Sequence, residues 1–96
     1  MEKQEILDFV KECILETVEY DPHLKEFFAS EDEDKMNEVL NLDFYWELGM
    51  DSLSYAEFLS KLERIPGISS ISEEDVVYVN TIGDMVNYLY KKINID

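Results

Sequence analysis

Leu48-Gly49-Met50-Asp51-Ser52-Leu53 is the stretch whose reading decides the fold, because it joins the least regular part of the chain to its clearest helix. Gly49 closes an apolar segment. Asp51 and Ser52 supply the side-chain oxygens that suit a helix start. Leu53, Ala56, Leu59 and Leu62 then recur at helical spacing, with Phe58 beside them. This pattern predicts a helix over residues 52–64, stopped by Pro66-Gly67. Ile68 and Ile71 are expected as loop anchors into the core.

Two further helices follow from the same logic. Ile6, Val10, Cys13, Ile14, Thr17 and Val18 form one face of a helix over residues 3–19, with Leu7 and Phe9 widening it. Glu2, Glu5 and Asp8 sit at the end of the helix that favours acids, and Asp21-Pro22 punctuates the other end. Near the C-terminus, Thr81 is expected to cap a helix over residues 82–93. Ile82, Met85, Val86, Leu89 and Ile93 form its buried face, and Lys91 and Lys92 complement its dipole. Residues 20–51 form a long first loop, too apolar for a bare linker. Leu24, Phe27 and Phe28 read as a turn packed on the core. Ser30 with Glu33 suggests a capping box for a short helix over 31–40. Leu42, Phe44, Trp46 and Leu48 alternate, but a lone strand lacks a partner, so they read as an extended loop covering helix ends. Ser72 with Asp75 suggests another short helix over 73–78. The expectation is one all-α domain, residues 1–96: a small bundle of three main helices plus one or two short ones.

Charge bounds the partners. The chain carries 23 acidic and 8 basic side chains in 96 residues, a net charge of -15. Sixteen of the acids and four of the bases lie in residues 1–51. Such a chain suits neither nucleic acid nor anionic lipid, and a basic protein face is the expected partner. One cysteine, Cys13, allows no internal disulfide. No secretory pattern is read at the N-terminus, and no apolar run approaches the roughly 20 residues of a membrane span. The expectation is a cytoplasmic monomer.

Catalytic and metal sets are poor. His23 and Cys13 are the only soft ligands, too few for zinc. Cys13 lies on an apolar helix face, where a thiol acts as a small hydrophobe. Glu31-Asp32-Glu33-Asp34 lacks the central glycine and acceptor spacing of a calcium loop. The methionines Met36, Met50 and Met85 and the aromatics Phe27, Phe28, Phe44, Tyr45 and Trp46 suit core filling, or a cavity that opens around something long and apolar. Ser52 reads first as an N-cap or first-turn serine. The same geometry also exposes a hydroxyl beside helix-start N–H groups that favour a phosphate.

Leu48-Gly49-Met50-Asp51-Ser52-Leu53 resembles the attachment motif of acyl carrier proteins and the related peptidyl carrier domains. Glu57 matches a commonly acidic contact position. Ile71-Ser72-Glu73-Glu74-Asp75 resembles the family's entry into its short third helix, and Thr81-Ile82-Gly83-Asp84 resembles the start of its last helix. The likeness covers residues 44–93 well and the first helix weakly. It implies a non-catalytic carrier whose Ser52 holds 4'-phosphopantetheine, added from coenzyme A by a magnesium-using transferase. The arm's thiol would carry an acyl or aminoacyl group as a thioester to partner enzymes with basic docking faces. Asp51, Leu53, Glu57 and Glu63 would be the docking residues. Ser54, Tyr55, Lys61 and Arg64, and the link Ile65-Pro66-Gly67-Ile68-Ser69-Ser70, depart from the fatty-acid pattern. They favour a specialised carrier for polyketide, aminoacyl or unusual lipid assembly. The alternative is a carrier-like interaction module whose serine is never loaded. A hydrolase using Ser52 lacks a histidine base nearby in sequence.

Overall fold

A computed structural model describes residues 1–18, 22–68, 70–72 and 74–94. They contain five helices and no strand: α1 (Lys3–Thr17), α2 (Pro22–Ala29), α3 (Glu33–Leu40), α4 (Ser52–Leu62) and α5 (Ile82–Asn94). The three main helices stand where the apolar stripes put them. α1 packs against both α4 and α5, and α3 leans on α5. Ile6, Val10 and Ile14 of α1, Phe58 and Leu62 of α4, and Ile82, Met85 and Leu89 of α5 are fully buried between them. A large apolar side chain buried in this way contributes about 1.5–3 kcal/mol. Among the described residues no polar or charged residue is fully enclosed.

The short helices differ from expectation. Residues 22–29 form a helix rather than a turn. Pro22 takes its first position, where the missing N–H costs nothing and the fixed φ is already helical. Lys11 Nζ donates to Phe28 O at 3.0 Å, tying the end of α2 to α1. α3 starts at Glu33 rather than 31, because Asp32 is the cap. Its carboxylate accepts from the Asp34 and Lys35 amides at 2.9 and 3.2 Å, while Ser30 Oγ accepts from the Asp32 amide. The short helix expected over 73–78 is a run of turns over 74–78, with Glu73 outside the described residues. Tyr88 Oη donates to Asp75 and fastens these turns to α5. Glu19 and Asp21, expected at the close of the first helix, and Ser69 of the link also lie outside the described residues.

Residues 41–51 do find a partner. Asp43 and Thr81 form an isolated antiparallel bridge, in which the Ile82 amide donates to Leu42 O at 3.1 Å and the Phe44 amide to Asn80 O at 3.0 Å. Beyond the bridge, Asp43 Oδ1 accepts from the Tyr45 and Trp46 amides at 2.8 and 2.9 Å and closes a turn. Phe44 is thereby driven inward against Tyr55 and Phe58, with ring centroids 5.5 and 5.2 Å away. Trp46 was expected to cover a helix end, yet it is 90% exposed. α5 then opens with a reciprocal cap. The Asp84 amide donates to Thr81 Oγ1 and the Thr81 amide to Asp84 Oδ2.

Candidate functional site

The bridge and the Asp43 turn deliver the chain to the start of α4. Gly49 takes φ +69°, a conformation that side chains resist. Met50 turns in beneath it and is 2% exposed. Asp51 is extended and caps the helix, its Oδ1 accepting from the Ser54 amide at 2.8 Å. The amide and then the hydroxyl of Ser54 stabilise the carboxylate and hold it below the usual range. Ser52 is the first residue inside the helix and is exposed. Asp51 has therefore taken the capping role that Ser52 could have filled. Among the described residues the Ser52 hydroxyl makes no hydrogen bond. What remains is an exposed serine with an unbonded hydroxyl at the positive end of a helix, an arrangement suited to a phosphate ester.

Leu53 stands next to it at 75% exposure, unusual for a leucine that opens an apolar stripe. Glu57 is exposed about one turn further along. Glu63 is exposed as the C-cap at the other end of α4, about 16 Å away at 1.5 Å per residue. Asp51, Ser52 and Leu53 thus stand together at the start of α4, Glu57 lies at its middle, and Glu63 closes the far end. Arg64, beside it, bonds Glu16 of α1 at 3.0 Å and ties the two helices together.

A cavity of about 230 Å³ opens beside Ser52, between α4 and the turns of 74–78. Tyr45, Tyr55, Leu59, Val76 and Asn80 line it with Ser52. The three-residue spacing from Ser52 to Tyr55 was a legible sign that the two share a helix face. Asn80 arrives through the bridge and Val76 through the turns fastened to α5 by Tyr88, and neither had a local sign. Cys13 is buried on α1, and burial pushes its thiol ionisation up. His23 is exposed on α2. Among the described residues no three His, Cys, Asp or Glu side chains cluster to hold a metal, and no helix is long and apolar enough to cross a membrane.

Comparison with known proteins agrees with this geometry. Residues 23–89 match the family model described as the phosphopantetheine attachment site. The chain is also 31% identical to a protein of Petrotoga mobilis (strain DSM 10674 / SJ95) named acyl carrier protein, over all 96 residues and 96% of that protein. No solved structure matches the chain significantly. A small all-α bundle with an exposed helix-start serine after a glycine turn, a family match over two thirds of the chain and a relative aligned end to end together mean that this chain belongs to the acyl carrier family of phosphopantetheine-attachment domains.

Proposed function

We propose that the chain is a carrier whose Ser52 receives 4'-phosphopantetheine from coenzyme A. The observation that carries this is the division of labour at α4: Asp51 caps the helix and leaves the Ser52 hydroxyl exposed. When bound, the arm supplies a mobile thiol that holds an acyl or aminoacyl group as a thioester. The residues of this chain attach, present and dock it. Ser52 Oγ loses its proton and would bond to the pantetheine-side phosphorus of coenzyme A as the P–O–P bond breaks and 3',5'-adenosine diphosphate leaves, with magnesium and the remaining catalytic groups belonging to the transferase. The new charge sits at the favourable end of the α4 dipole. The buried Cys13 thiol does not compete with the arm for cargo.

Asp51, Leu53 and Glu57 form the docking face, with Glu63 extending it toward the far end of the helix. Acids there steer basic partner surfaces into fast, weak encounters. The chain itself makes and breaks no bond of the cargo. It acts as one domain, as a monomer in the cytoplasm, and its departures from the fatty-acid pattern favour a specialised pathway. The test is incubation with fluorescent coenzyme A, magnesium and a broad-specificity transferase. Wild type is expected to take one label and Ser52→Ala none. Failure of several transferases to label wild type would favour an interaction module.

A further inference from the structure

Tyr55 carries a polar atom that the fold leaves without a partner. The residue is 8% exposed, and its hydroxyl is the one enclosed side-chain N or O atom among the described residues that makes no hydrogen bond. An unpaired hydroxyl in an interior is destabilising. Phe would keep the ring contacts to Phe44 and Phe58 without that cost. Tyr55 lies three residues from Ser52, on the same face of α4, and lines the cavity beside it. Tyr45 packs over the Tyr55 ring with centroids 5.4 Å apart and is itself 44% exposed. A shift of this half-exposed ring would be the route by which the cavity reaches the hydroxyl. Burial, and Tyr45 close by, raise the ionisation of Tyr55 well above that of an ordinary phenol. The hydroxyl is therefore a neutral donor.

We propose that Tyr55 is a specificity residue, donating a hydrogen bond to a ketone oxygen on a short acyl chain that is tethered at Ser52 and folded into this cavity. The proposal deepens the carrier function above and rests on it. A cavity of about 230 Å³ is smaller than a typical ligand pocket, which suits a short chain. The hydroxyl is enclosed, so a group that meets it has passed the mouth of the cavity. The thioester, joined to the hydrated arm, stays outside. A ketone needs only a donor. A hydroxyl on the cargo would bring a hydrogen that needs a second buried partner. A wholly saturated chain would leave Tyr55 unpaired.

The test loads wild type and Tyr55→Phe with three arms: a bare thiol, a hexanoyl chain and a 3-oxohexanoyl chain, the last two joined by an amide to prevent hydrolysis. Intact mass establishes loading, and melting midpoints are then compared. The 3-oxohexanoyl arm is expected to raise the wild-type midpoint about 4–8 °C above the hexanoyl arm, the effect of one hydrogen bond in a chain of this size. In Tyr55→Phe the two acyl arms should melt together, and the unloaded variant should melt no lower than unloaded wild type. Equal midpoints for both acyl arms on wild type would overturn the proposal. So would a Tyr55-dependent shift with the bare thiol, which would assign the hydrogen bond to the arm. A markedly destabilised unloaded Tyr55→Phe would mean that the hydroxyl already has a partner. No mass gain at all would overturn the Ser52 tether, and this proposal with it.

Discussion

Asp51 and Ser52 are neighbours with separable roles, and substitution can divide them. Asn caps a helix about as well as Asp but carries no charge. Asp51→Asn should therefore keep the fold and slow loading by a transferase that uses the acid. Asp51→Ala should also lower the melting midpoint. The pH dependence has a definite sign. The folded-state carboxyl titrates below its unfolded value, so its contribution is present above the ordinary range near ~3.9 and is lost as pH falls through the folded value. Wild type should lose melting temperature over that acid window by more than Asp51→Asn does. A parallel pH profile for the two proteins would contradict the cap. The serine itself was legible in the sequence, because a glycine, an acid and a helical stripe frame it. Which of the two oxygens caps was not legible, since Asp and Ser are near-equal caps and only backbone geometry separates them.

At the scale of elements, apolar spacing marked α1, α4 and α5, because each buries a continuous apolar face in the shared core, α1 against both α4 and α5. The eight-residue helices were harder to read, since so short a segment draws its stability from tertiary contacts. α2 encloses only Phe28 completely, so its stripe was faint, and Pro22 was the missed sign of a helix start. Over 74–78 the opposite happened. A capping pattern suggested a helix, but β-branched Val76 and Val77 and two enclosed side chains, Val76 and Val79, hold turns instead. The contact of α3 with α5 depends on Gly83, where a Cβ would lie 2.9 Å from the Leu40 carbonyl oxygen. Gly83→Ala adds helix propensity but forces two backbones apart. It should destabilise the fold by about 1–3 kcal/mol, read as a lower urea midpoint. An unchanged or higher midpoint would mean that α3 moves freely.

For the whole molecule, the net charge of -15 is both a docking field and a source of self-repulsion. Raising ionic strength from about 0.01 M to 0.15 M shortens the screening length from about 30 to 8 Å. The melting midpoint should rise over that interval, and a flat response would mean that repulsion contributes little. The bridge between Asp43 and Thr81 joins segments far apart in sequence. No local pattern announces such a contact, so the alternation of Leu42 and Phe44 by itself reads as a loop. That same bridge builds the cavity beside Ser52, so the serine was legible and the pocket was not. The carrier function turns on whether Ser52 bears the arm. The most direct measurement is the intact mass of the chain recovered from the cells that natively express it, beside Ser52→Ala recovered in the same way. Wild type should be heavier than its sequence by one phosphopantetheinyl group, alone or acylated, and Ser52→Ala should match its sequence mass. A wild-type protein found wholly at its sequence mass, or a Ser52→Ala protein that still carries the group, would contradict the account.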